Sequence, residues 1–277
     1  VSVDSTAIRP GSAGTSDDLV TRSVRYVVGK VAAFFSELGG IVFFTINFVR
    51  ALVLPPYRFG LWIEQMEFVG VGSTFIICVT GASIGMVLVL EGLWAFQTLH
   101  MEVMVGSTVE LFLAREMAPV FGGIIVAARV GAAMTTELGS MRVTEQIDAL
   151  ESMAVRPMNY LVVPRVIATT IMMPVLALVF NAAGLFAAYV NFVFVQGYDD
   201  SVFWARLSHY LEVIDITHGL WKAFWFGLTV GLIATYFGFN AKGGATGVGI
   251  ATTRAVVYAC VTILFLDYVV TAVGVQL

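Results

Sequence analysis

The chain has 277 residues, of which 58% are hydrophobic and only 12% charged, with a formal net charge of -4, and its mean hydropathy is +0.89. A soluble domain carries about a quarter charged residues, so the composition predicts an integral membrane protein. The slight acidic balance without a basic face argues against a nucleic-acid binder. Both cysteines, Cys78 and Cys260, lie inside apolar runs, which argues against a disulfide framework or redox chemistry.

Three units are read in chain order. Residues 1–23 are rich in Ser, Gly and charge and have no apolar core of the kind a signal peptide needs; they read as a disordered cytosolic tail. Residues 24–67 hold an interfacial helix and a linker. Arg25, Lys30, Glu37 and Arg50 alternate there with Phe34, Phe35, Leu38, Ile41, Phe44, Phe48 and Leu52, a spacing that predicts an amphipathic helix lying in the membrane interface, with its apolar 39–49 run dipping inward. Pro55 and Pro56 end it, and the linker carries Arg58, Trp62 and Glu64 at the headgroup layer.

The third unit, 68–277, contains apolar segments at 68–96, 109–138, 157–195, 220–239 and 248–275, each covering the ~20 helical residues that a hydrocarbon core requires. The predicted fold is therefore an all-α membrane protein with an N-terminal interfacial helix and five transmembrane helices. Pro164 and Pro174 are expected to kink the third span. Arginine and lysine cluster before the first span, at Arg142 and Arg156 between the second and third, and at Lys242 and Arg254 by the fifth. The loop 97–108 has none, and the loop after the third span has only Arg206. The positive-inside rule then places the N-terminus in the cytoplasm and the C-terminus outside.

The most charged stretch between spans is ARVGAAMTTELGSMRVTEQIDALESMAVRP, residues 128–157. Over 144–153, Glu145, Asp148 and Glu151 fall three apart on one helical face, with Ile147, Leu150 and Ala154 on another. Two readings fit that spacing: a short coupling helix docking on a cytosolic partner, or an interfacial helix whose acids face water.

Catalytic signals are weak. Gly81-Ala-Ser83-Ile-Gly85 has the G-x-S-x-G order, but that motif needs a strand-to-helix turn and a histidine base. Here it falls inside a predicted span, while His100, His209 and His218 lie at or beyond the outer edge. Helix packing through Gly81 and Gly85 is the favoured reading. No His, Cys or carboxylate group has metal-ligand spacing. Residues 240–249, though glycine-rich, lack the phosphate-loop order, so the chain has no nucleotide-hydrolysing motif of its own.

Charge inside the spans is the stronger signal, because an ionised group in the bilayer is costly and faces a cavity or a partner. At 1.5 Å per residue, Glu91, Arg115, Glu116, Lys222 and Asp267 all fall in the outer third. Opposite signs from four spans at one depth predict a polar patch within the bundle; snorkelling to the headgroups is the competing reading and suits Asp267 poorly. Arg129, Glu137 and Arg254 lie nearer the cytoplasm and are expected to brace the inner ends of the spans.

Several long motifs now coincide: Leu113-Ala-Arg-Glu-Met-Ala-Pro-Val120, the stretch from Ala128 to Leu150, Met153-Ala-Val-Arg-Pro157 with Val163-Pro-Arg165, Gly247-Val-Gly-Ile-Ala-Thr-Thr-Arg254, and Leu266-Asp267. In these, from about residue 68 to the end, the chain resembles the MlaE/YrbE permeases, membrane subunits of ABC systems that move lipids with MCE-domain proteins. The resemblance implies a permease for phospholipids or related lipids, with no catalytic residue. ATP and magnesium would be bound by a separate cytosolic ATPase.

It further implies that 145–150 (Glu145, Gln146, Ile147, Asp148 and Leu150, flanked by Arg142 and Glu151) couples to that ATPase. Leu90, Leu93, Arg115 and Glu116 would border a lipid cavity open to the outer side. Lys222, Arg254 and Asp267 match charged positions of the family, whereas Glu91 stands where the family pattern is neutral. Family members pair two permease copies, identical or paralogous, with two ATPases and a periplasmic MCE ring, in the bacterial inner membrane. A channel or a membrane-embedded lipid hydrolase using Ser83 are the alternatives from other classes.

Overall fold

The computed structural model describes residues 15–53, 58–98, 100–204 and 212–274. Residues 1–14 of the expected tail, the Pro55 and Pro56 stop, Arg206, His209 and the expected end of the last span at Val275 lie outside them. The described residues contain helices and no strand, so the chain is an all-α protein. Its main helices are α1 (Thr15–Val53), α2 (Phe59–Gln97), α3 (Glu102–Val143), α4 (Gln146–Ser152), α5 (Met158–Val195), α6 (Val213–Phe239) and α7 (Gly244–Gly274). Two units are resolved, Val1–Phe44 and Thr45–Leu277, and the site described below belongs to the second.

Six stretches reach the length and hydropathy of a membrane span: α2, α3, α5, α6, α7 and Ser36–Val53. The last is the apolar half of the helix expected at the interface, and by length and composition it qualifies as a sixth span. The helices also begin earlier than hydropathy alone places them: α2 at Phe59 rather than 68, α3 at Glu102 rather than 109, and α6 at Val213 rather than 220. Hydropathy marks the part of a helix that lipid would touch, whereas hydrogen bonding continues through its polar ends. For α6 the start is fixed by a capping box, in which Glu212 and Asp215 satisfy each other's backbone N–H groups. Pro164 stands in the first turn of the long regular part of α5, and Pro174 lies in its interior without interrupting the helix.

Packing follows a four-residue stripe on α2. Val69, Ser73, Ile77, Gly81, Gly85, Val89 and Leu93 are buried, and this ridge lies against α5. Small residues let the two backbones touch. A Cβ placed on Gly81 would lie 2.6 Å from the Phe180 carbonyl oxygen, and one on Gly85 would collide with that of Gly184. Gly85→Leu is therefore expected to destabilise the protein by about 3 kcal/mol, read as a fall in thermal midpoint. Gly60→Ala, where an added Cβ meets nothing within 4 Å, should be neutral within about 0.5 kcal/mol.

α3 packs against α2, α5, α6 and α7 and is the axis of the bundle. It is not a uniform α-helix: wide turns with i to i+5 hydrogen bonding occupy Leu113–Met117 and Ala127–Gly131. Polar ties fix α3 at the α4 end. Thr135 Oγ1 donates to the Ala234 carbonyl of α6 at 3.0 Å, Thr136 and Thr252 of α7 share a 2.9 Å bond, and Arg165 of α5 pairs with Glu137 at 2.7 Å. The outward faces of α2 and α7 are apolar: Val71, Phe75 and Val79 on the first, Val257, Val261, Phe265 and Tyr268 on the second. Such faces suit lipid tails or a second membrane protein.

Candidate functional site

Far from α4 along the bundle, three helices converge on one cation. Lys222 of α6 is fully buried, and its Nζ donates to Glu116 Oε2 of α3 at 2.7 Å and to Asp267 Oδ1 of α7 at 2.9 Å. The approach is possible because α6 carries Gly219 one turn before the lysine: a Cβ there would collide with the Ala114 carbonyl oxygen. Beside this triad, Arg115 Nε donates to Asp215 Oδ1 at 2.7 Å. The other oxygen of Asp215 accepts the Glu212 backbone N–H at 3.0 Å, so one carboxylate both caps α6 and anchors the arginine. The site thus holds two cations and three carboxylates, as a triad and a pair that meet at the adjacent Arg115 and Glu116 of α3.

Exposure within the site is graded. The side chains of Lys222 and Asp215 are 0% and 4% exposed, while Glu116, Asp267 and Arg115 reach 29%, 22% and 44%. Lys222 and Asp215 are therefore the closed floor, and Glu116, Asp267 and Arg115 form an open rim. A group so buried stays charged only if it is paired and hydrogen-bonded. The two carboxylates supply that pairing, and the rim leaves carboxylate and guanidinium edges available to a polar ligand.

The residues expected in the polar patch meet unevenly. Arg115, Glu116, Lys222 and Asp267 come together. Glu91 does not join them: it is exposed on α2 and, among the described residues, has no ion pair. Leu90 is exposed and Leu93 buried on different faces of that helix. Asp215 lies ahead of the apolar run that begins at 220 and so falls outside the expected patch; the Glu212 and Asp215 capping pair is the signal that finds it.

At the other end of α3, α4 is seated by Ile147, which is fully buried against Leu138 and Leu161 with Met141, Leu150, Tyr160 and Phe239 around them. Its polar side faces outward: Glu145, Gln146, Asp148 and Glu151 are exposed, and Arg142 Nη1 donates to Asp148 Oδ1 at 2.5 Å. The helix is shorter than the expected 144–153. Glu145 has φ 59° and Ala154 φ 58°, so both stand outside it in the left-handed region, where the chain reverses.

Arg129 and Glu137 each reach a different neighbouring helix. Arg129 Nη1 donates to the Phe68 carbonyl and to Ser73 Oγ, both at 3.0 Å, while Glu137 is taken by Arg165, a partner outside the expected set. Arg254 is exposed on α7. Ser83 lies in mid-helix and donates to the Val79 carbonyl at 2.8 Å, which is the geometry of a helical serine rather than of a nucleophile elbow.

Comparison with known proteins places this architecture. The family described as "Permease MlaE" matches residues 62–273, from the first turns of α2 almost to the end of α7. The chain belongs to the MlaE permease family. Relatives within reach of this match include a "Probable ABC transporter permease protein" of Rickettsia felis, 38% identical over 245 residues, 88% of this chain and 95% of the relative. The "Intermembrane phospholipid transport system permease protein MlaE" of Haemophilus influenzae is 37% identical over 248 residues, 88% and 94% of the two chains. A "Probable ABC transporter permease protein" of Synechocystis is 34% identical over 206 residues, 74% and 78%. As an MlaE-family permease the chain is a multi-pass membrane protein, and both the ion cluster and α4 lie inside the matched region.

Proposed function

We propose that this chain is the membrane subunit of an ABC transporter that moves phospholipids between the bacterial inner membrane and a periplasmic MCE-domain protein. The observation that carries this reading is the half-open cluster of Lys222, Glu116, Asp267, Arg115 and Asp215, a zwitterionic surface at the edge of an apolar bundle. It sits in a chain that matches nearly the full length of a relative named for phospholipid transport. The exposed Leu90 and Glu91 of α2, backed by the buried Leu93, would border a lipid cavity completed by a second copy of the chain or a paralogue. With Ser36–Val53 lying in the interface rather than crossing, the N-terminus would face the cytoplasm and the C-terminus the periplasm.

α4 is the proposed coupling helix. Its buried Ile147 anchors it to both α3 and α5, so a push on the exposed Asp148 and Glu151 moves α3 as a rod, and with it the Glu116 end of the ion cluster. ATP and magnesium would be held by the partner ATPase, which supplies the hydrolysis energy. Transport then requires only that a lipid bind one arrangement of the bundle better than the other.

The complex purified in mild detergent, with its subunits and extracted lipids identified by mass spectrometry, tests the proposal. Phospholipid together with an ATPase and an MCE-domain subunit is the expected result. A preparation free of both subunits, with unaltered bulk-membrane lipid composition, would overturn it. The lipid-hydrolase alternative is tested by Ser83→Ala, which should leave lipid handling unchanged.

A further inference from the structure

A second buried carboxyl lies apart from the ion cluster. Glu110 of α3 is 2% exposed, and its Oε1 accepts a 2.7 Å hydrogen bond from Nδ2 of Asn181 on α5. Its other oxygen, Oε2, is buried with no partner, and the Oδ1 of the same Asn181 is likewise buried with no partner. A carboxyl group and a primary amide are planar and alike in size, so the two can pair through both arms, and here the second arm of each is buried without another partner. In such a pair a carboxylate would set two bare acceptors against each other. Exchanging the amide oxygen and nitrogen would not cure this, because a carboxylate offers acceptors only.

No cation among the described residues pairs with the group. Among the described residues, Arg115 on the following turn of α3 is engaged by Asp215 of α6. Lys222 of α6 is shared between Glu116 and Asp267 of α7. From α5 the partner is the neutral Asn181, and on α2 the nearest acid in chain position to this end of the bundle, Glu91, is exposed and unpaired. Burying an ionised carboxylate without a countercharge inside a membrane span is the costliest arrangement open to it, whereas one proton turns Oε2 into a donor for Asn181 Oδ1.

We propose that Glu110 carries a proton in the folded protein and closes a two-bond acid–amide ring with Asn181, a proton-binding site that locks α3 to α5. The lock is well placed to position the ion cluster. Glu110 stands three residues before the start of the wide turn that carries Arg115 and Glu116. Asn181 lies on α5 between Phe180 and Gly184, where α5 is pressed against Gly81 and Gly85 of α2. α3 is thereby tied to the most tightly packed helix pair in the bundle just before its site-bearing turn begins. This inference does not depend on which ligand the cluster takes.

Infrared difference spectra of the full chain in lipid nanodiscs at neutral pH, wild type minus Glu110→Gln, test it. Expected is a protonated-carboxyl carbonyl band, shifted by deuterium exchange, that is present in the wild type and missing from the variant. A glutamine rebuilds the ring with its own amide, so Glu110→Gln should melt within about 2 °C of wild type, whereas Asn181→Leu, which strands the acid, should melt roughly 5 °C lower. Absence of the band would overturn the protonated state, and a glutamine variant as unstable as Asn181→Leu would overturn the ring.

Discussion

Lys222→Met is expected to cost the protein about 3–5 kcal/mol of stability, because it leaves Glu116 and Asp267 facing each other without the cation between them. The measurement is thermal unfolding in nanodiscs, together with the yield of monodisperse protein. The triple variant Lys222→Met, Glu116→Gln, Asp267→Asn removes both charges along with the cation and should recover most of the lost stability, since replacing a whole buried ion group by neutral residues of similar size is far cheaper than breaking it. That variant also separates folding from function: if the open rim of the cluster holds the lipid headgroup, it should fold yet retain less co-purified phospholipid. A lysine that snorkels to the headgroups would behave otherwise, and a Lys222→Met protein within about 1 kcal/mol of wild type would show that the triad is not closed.

Reversing the charge of α4 by Asp148→Lys with Glu151→Lys is expected to lower recovery of the partner ATPase at least tenfold, equivalent to about 1.4 kcal/mol of binding free energy, without affecting membrane insertion. Both side chains are exposed and neither reaches the packed core, so the permease itself should melt near its normal temperature. One internal bond changes, that from Arg142 to Asp148, and as an exposed pair it contributes at most about 1 kcal/mol. Full ATPase recovery with the double variant would remove α4 from the coupling role. Ile147→Asp is the structural contrast: it should destabilise the α4 end of the bundle directly, because that side chain is fully buried.

Much of the architecture was legible because membrane insertion imposes one strong rule, a run of apolar residues long enough to span. The five principal spans, the turn at 139–156 and the meeting of Arg115, Glu116, Lys222 and Asp267 at one depth all follow from counting along apolar runs. Depth, however, says nothing of angle. Glu91 shares the depth of the cluster but stands on an exposed face, and Glu137 finds Arg165 because partner choice depends on which faces of α3 and α5 meet. Residues at the polar margins of the spans were harder still. Asp215 and Glu110 lie where hydropathy falls off, so they read as loop or span edge, whereas the helices continue through them and carry both into the protein interior. α4 is shorter than its side-chain periodicity suggests for a backbone reason: the left-handed geometry at Glu145 and Ala154 leaves no mark in that periodicity.

The wide turns of α3 bear on how that helix should be pictured. A regular α-helix advances its side chains by roughly 100° per residue, and each wide turn accommodates one residue more than an α-turn, so the angular register slips at Leu113–Met117 and again at Ala127–Gly131. A helical wheel drawn through the whole of α3 is therefore wrong beyond the first slip and worse beyond the second. The helix is better drawn as three short wheels in different phases: one carrying Glu110, one between the slips, and one carrying Thr135, Thr136 and Glu137. That division lets a single rod face α2 and α5 with its first part and α6 and α7 with its last, and cross-linking or tryptophan-scanning patterns along α3 should break phase at those two places.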